Sequence, residues 1–98
     1  MQIEDMQTQA GKAVSLLKAL ANEHRLLILC HLQAQELSVG ELNERLGLSQ
    51  SALSQHLAVL RRDELVATRK CAQTVYYSLK SDEVRSIIGV LHQLYCQA

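Results

Sequence analysis

Apolar residues return at three- and four-residue steps early in the chain. Ala10, Ala13, Val14, Leu17 and Leu20 fall on one stripe and predict a helix from Thr8 to Ala21. Asn22 offers a side-chain cap for a second helix, Glu23 suits its first turn, and Leu26, Leu27, Cys30 and Ala34 carry an apolar face to about Gln35. Ser38 and Glu41 have the spacing of a capping box, with Val39, Leu42 and Leu46 as the inner face of a short third helix that Gly47 ends. Ser49 caps a fourth, in which Leu53, Leu57 and Leu60 share one side. After Asp63 the residues become β-type. Leu65 to Arg69 and Thr74 to Leu79 read as two strands of a hairpin, with Lys70 to Gln73 as its polar connection. Ser81, Asp82 and Glu83 start a last helix filled by Val84, Ile87, Ile88, Leu91, Leu94 and Tyr95.

The predicted order is ααααββα, mainly α with one β-hairpin, in one domain over residues 1–98. Residues 38–62 form two short helices joined by a tight turn, the arrangement that lets a second helix enter a DNA major groove. With its leucines turned inward, that helix presents Ser51, Gln55, Ala58 and Arg62 outward, with Ser54 beside them. Short and amide-bearing side chains allow close approach to base edges: Gln pairs bidentately with adenine, Ser meets base or phosphate, and Ala meets a thymine methyl. A hairpin tip carrying Arg69 and Lys70, with Gln73 as a polar contact, would serve as a wing on neighbouring phosphates or minor groove. The DNA-contact candidates are Gln50, Ser51, Ser54, Gln55, His56, Arg61, Arg62, Arg69, Lys70 and Gln73. Against this, Ser51 can cap locally, Arg61 and Arg62 can be solvated, and His56 can be packed at the core edge.

The formal net charge is zero, which by itself argues against a nucleic-acid partner. The distribution changes that picture. Residues 1–44 carry net −3, residues 45–80 net +4, and the tail, with Arg85 against Asp82 and Glu83, net −1. Phosphate attraction depends on local potential over about 8–10 Å, so a basic segment in a neutral protein can still form a binding face. Three cysteines at no metal-binding spacing do not form a secreted disulfide framework. With no long apolar run and no basic-then-apolar start, the expectation is a cytoplasmic protein with no membrane partner. No phosphate-cradling glycine loop and no nucleophile motif is present, so neither an enzyme nor a cofactor is expected.

The run Ser49-Gln50-Ser51-Ala52-Leu53-Ser54-Gln55-His56-Leu57, followed by Leu60-Arg61-Arg62 and the Tyr76-Tyr77 strand, resembles the ArsR/SmtB family of winged helix-turn-helix transcription regulators. Leu17 to Leu26 resembles the family's junction between helices one and two, with Asn22-Glu23 where many members have Asp-Pro. The resemblance implies a homodimer, joined through the first and last helices, on an imperfectly palindromic double-stranded operator. A family metal motif places two cysteines in a segment that here reads Glu36-Leu37-Ser38-Val39-Gly40-Glu41-Leu42, without thiols. A second family metal site, on the last helix, retains only His92, so no metal is expected.

Cys30 and Cys96 instead match positions used by the HlyU-like, BigR/SqrR-related thiol-sensing branch. That branch is associated with activation of haemolysin and other virulence genes, and with repression relieved by reactive sulfur species. The resemblance implies a redox sensor in which Cys30 and Cys96 form a dithiol switch, closed as a disulfide or polysulfide by an oxidant or reactive sulfur effector. Arg25 and His31 are candidate supports for a thiolate, and Cys71 has no counterpart in the branch. A metal-responsive or constitutive ArsR-type regulator, or a winged-helix protein-interaction module, remains as the alternative.

Overall fold

The core is built from aliphatic side chains. Ile28 and Leu29, Leu37, Leu42, Leu53, Leu57 and Leu60, and Val84 are buried almost completely, and Tyr77 packs only partly against them. The computed structural model describes residues 1–96; Gln97 and Ala98, the end of the expected domain, lie outside the described residues. The elements are α1 (Ile3–Leu20), α2 (Glu23–Ala34), β1 (Leu37–Ser38), α3 (Val39–Leu46), α4 (Gln50–Arg62), β2 (Val66–Cys71), β3 (Thr74–Leu79) and α5 (Asp82–Tyr95).

Two expectations change in the first half of the chain. α1 begins five residues before Thr8, because Glu4 and Asp5 favour a helix N-terminus and the Thr8 hydroxyl donates back to the Glu4 carbonyl at 3.1 Å instead of capping. A short strand, β1, precedes α3 and pairs antiparallel with β3, so the hairpin is part of a three-stranded sheet ordered β1-β3-β2. Two residues are too few to show a period of two in the sequence.

The α1–α2 corner is fixed by polar groups. The Asn22 side chain accepts from the Arg25 amide at 3.1 Å, while the Arg25 guanidinium donates to the Ala19 and Lys18 carbonyls at 2.7 and 3.1 Å. These bonds occupy carbonyls that the end of α1 leaves without helical partners. At the α3 start, Ser38 and Glu41 form the anticipated capping box at 2.9 and 3.1 Å. Gly47 ends α3 with φ 66°, its amide donating to Asn43, and the Asn43 side chain donates to the Leu48 carbonyl, locking the turn into α4.

β3 spans Thr74–Leu79 as anticipated, while β2 starts one residue later and runs two residues further toward the tip, with Cys71 paired to Thr74, so Ala72 and Gln73 form the turn. Ala72 takes φ 56°, the left-handed region in which residues with a Cβ are uncommon. Arg69 and Lys70 therefore lie within β2 and not at the tip. Buried Ser81 caps α5 by accepting from the Val84 amide at 3.2 Å. Along α1 the side chains of Ile3, Met6, Val14 and Leu17 stay exposed, as do Val90, Leu94 and Tyr95 on α5.

The Gly47 position tests the turn directly. The space around its Cα is open, so Gly47→Ala meets only the cost of a left-handed backbone. The variant is expected to lose about 1–2 kcal/mol in urea unfolding, with unchanged secondary structure.

Candidate nucleic-acid interface and cysteine groove

α4 separates cleanly into two sides. Leu53, Leu57 and Leu60 are buried, whereas Gln50, Ser51, Ser54, Gln55, Ala58, Arg61 and Arg62 are exposed. Ser49 caps the helix by accepting from the Ala52 amide at 3.2 Å, and its hydroxyl lies 3.5 Å from that of Ser51. The local-capping role considered for Ser51 thus belongs to Ser49. No carboxylate lies on α4, and its basic residues are gathered in the last turn. Arg62 pairs with Asp63 at 3.2 Å but stays highly exposed, so this bond is weak and readily exchanged for another anion.

His56 departs from the other candidates. It is half-buried on the α2 side of the helix, its ring centroid 5.8 Å from that of His24. Burial, with the positive Arg25 and His24 nearby, holds its imidazole below the ordinary value. The packed reading of this residue therefore fits better than outward base contact.

Arg69 is the second departure. Its Nε lies 2.9 Å from each Glu36 carboxylate oxygen, a terminal nitrogen lies 2.8 Å from Oε1, and the guanidinium sits 4.7 Å over the Tyr76 ring. Hydrogen bonding to Glu36 pushes the guanidinium further up, and Cys71 alongside adds to that effect. The wing cation expected to meet DNA freely is already engaged. Lys70 is exposed and forms no ion pair among the described residues, and Gln73 is exposed in the turn. Glu36 escaped sequence reasoning because its partner is 33 residues away and the intervening β1 strand was not anticipated.

Between α2 and α5 runs an apolar groove of 630 Å³, lined by Leu26, Leu27, Leu91 and Tyr95 and containing both Cys30 and Cys96. All three cysteines are free and exposed, Cys71 being separate on β2. Partial burial pushes the Cys30 thiol up, and a charge on Cys96 pushes it in the same direction. Neither of the expected thiolate supports, Arg25 and His31, lines the groove, and Arg25 is committed to the end of α1; the histidine in its lining is His92. Among the described residues no three or more of His, Cys, Asp and Glu come together as metal ligands, and no helix is long and apolar enough to cross a membrane.

The His56 environment predicts a titration midpoint below the ordinary imidazole value by NMR, and His24→Ala should move it upward. Because the folded value is lowered, stability from the neutral ring is lost as pH falls through the ordinary value toward the lowered one.

Residues 22–68 match the family described as bacterial regulatory protein, arsR family. The whole chain is 65% identical to the transcriptional activator HlyU of Vibrio cholerae serotype O1, covering 91% of that protein. The reduced HlyU structure from Vibrio cholerae superposes with a TM-score of 0.90 at 66% identity, over 96% of this chain and 99% of that one. The transcriptional repressor BigR from Xylella fastidiosa, 36% identical, gives a TM-score of 0.94 with both chains fully covered. Such identity over nearly the full length, on a shared winged helix-turn-helix architecture, makes this chain a member of the arsR family of bacterial transcriptional regulators and not an enzyme.

Proposed function

We propose that the chain is a homodimeric, HlyU-like regulator that reads an imperfectly palindromic duplex through α4 and is switched by Cys30 and Cys96. The observation that carries the DNA reading is the outward surface of α4: Gln50, Ser51, Ser54, Gln55 and Ala58 followed by Arg61 and Arg62, with no carboxylate on the helix. Ser and Gln near the N-terminal half suit base edges, and the two arginines near the C-terminal end suit phosphates. Lys70 and Gln73 extend the contact from the wing. Exposed apolar residues on α1 and α5 support pairing through those helices, since association buries them and a two-fold dimer matches a two-fold operator. HlyU is a transcriptional activator and BigR a transcriptional repressor, and the activator reading follows the higher identity.

The switch reading rests on both thiols opening into one groove. With an organic persulfide as oxidant, one protein thiolate attacks the outer sulfur, forming a protein persulfide and releasing the organic thiol. The second thiolate then attacks the protein-bound sulfur, forming the disulfide and releasing hydrogen sulfide. If the protein persulfide first attacks the outer sulfur of a second organic persulfide, releasing another organic thiol, closure by the second protein thiolate with loss of hydrogen sulfide gives a longer bridge across a wider gap. The raised Cys30 thiol makes this reaction faster with rising pH, as more thiolate becomes available. A bridge holds α5 against α2 and changes the separation of the two recognition helices. A preference of about 1–3 kcal/mol between the two dimer geometries suffices for a roughly 5- to 150-fold change in DNA affinity.

Selection of bound sequences from random duplex, with reduced and persulfide-treated protein side by side, tests both parts. Reduced protein should enrich a palindrome that treated protein does not, and reductant should restore binding. Cys30→Ser and Cys96→Ser proteins, which keep Cys71, should hold the duplex after treatment; equal loss in either variant rules out the dithiol switch. A response to metal alone would make the protein metal-responsive, and absence of salt-dependent duplex binding would favour a protein-interaction module. On the selected site, Gln55→Ala should cost about 1–3 kcal/mol in titration while leaving random-duplex binding nearly unchanged.

A further inference from the structure

The wing carries a cation that has been taken out of service as a free charge. Arg69 and Tyr76 are register partners on β2 and β3, and Tyr76 is in turn the partner of Ser38 on β1, so the three lie in one row across the sheet. Glu36 stands two residues before Ser38, and the alternation of an extended chain puts its side chain on that same face. The result is a three-part clamp. Glu36 accepts from the guanidinium fork at 2.8–2.9 Å, and the central carbon of the same guanidinium sits over the Tyr76 ring, 4.7 Å from its centroid. A guanidinium held by a carboxylate and set over an aromatic ring has little freedom left. The clamp joins the link between α2 and β1 to the middle of the hairpin, across all three strands.

Lys70, the next residue, points from the opposite face and has no ion-pair partner among the described residues. A phosphate approaching Arg69 must displace a bidentate carboxylate; one approaching Lys70 displaces only water. An exposed pair contributes little to the stability of a whole fold. Its effect is local, because it ties a hairpin with an exposed tip to the body of the protein.

We infer that Glu36, Arg69 and Tyr76 form a brace setting the pitch of the wing, so that Arg69 is a positioning residue and Lys70 makes the contact with the DNA backbone. The role of Lys70 rests on the DNA-binding reading above; the brace itself can be measured without DNA.

The test uses full-length Glu36→Gln, Arg69→Gln, Arg69→Lys, Lys70→Gln and the double variant Glu36→Gln/Arg69→Gln. Thermal unfolding comes first, to establish that each remains folded. In the free proteins, backbone ¹⁵N relaxation of Lys70 to Thr74 should show increased wing motion in every variant touching Glu36 or Arg69, with no further increase in the double variant. Unchanged wing order in those variants overturns the brace, whether or not the protein binds DNA. With a labelled random-sequence duplex across a salt series, Arg69→Gln and Glu36→Gln should each weaken binding about fivefold at unchanged salt slope, comparable to modest coupling between sites. Lys70→Gln should lower the slope by about 0.9 per protomer. Arg69→Lys should resemble Arg69→Gln, since it keeps the charge but loses the fork. Tighter binding by Glu36→Gln, together with a reduced slope for Arg69→Gln, would make Arg69 a direct phosphate contact and overturn its assignment. Failure of wild-type protein to bind the duplex would reject the DNA reading, while wing motion still decides the brace.

Discussion

Everything about the reading surface depends on burying one side of α4. A thirteen-residue helix is marginal on its own in water, and a polar outward face adds little to hold it in place. Leu53, Leu57 and Leu60 solve this by entering the core completely, in one apolar cluster with Ile28, Leu29 and Leu32 of α2 and Leu42 of α3. The outward positions are thereby released from any structural duty and can be filled by serine, glutamine and alanine. Division of labour along a single helix, repeated every three or four residues, allows a small chain to present a rigid surface of short side chains.

Charge is partitioned by a similar logic. Several basic residues in this neutral chain are used internally: Arg25 closes the end of α1, Arg69 joins the sheet to Glu36, and Lys80 pairs with Glu64 at 3.5 Å. Arg61 and Lys70 have no ion-pair partner among the described residues, and Arg62 has only its exposed neighbour. A regional excess of positive charge therefore overstates the charge available to a partner, because a basic residue can serve as a hydrogen-bonding tie for carbonyls and carboxylates.

The sequence revealed the elements whose cause is local. The 3.6-residue pattern of α4, the Ser38–Glu41 capping box and the left-handed Gly47 each depend on residues within one or two turns, and each appears in the structure. The outward set on α4 follows from the same periodicity. What escaped was set by distant pairing. The partner of Arg69 is on the far side of α3 and α4 in sequence, and β1 exists only because β3 arrives beside it. His56 was open to both readings in the sequence for a related reason: helical phase left it between the two sides of α4, and its neighbour His24 lies on another helix. The family resemblance indicated a cysteine pair, but the apolar groove that brings both thiols together is a product of helix packing.

The left-handed Ala72 gives the wing a particular kind of dependence. Two-residue hairpin turns that close by their own preference use Asn-Gly or glycine, whose backbones enter this region freely. Here alanine and glutamine are bent into the turn, and the paired strands on either side must hold them there. The tip inherits its shape from the ladder and does not dictate it.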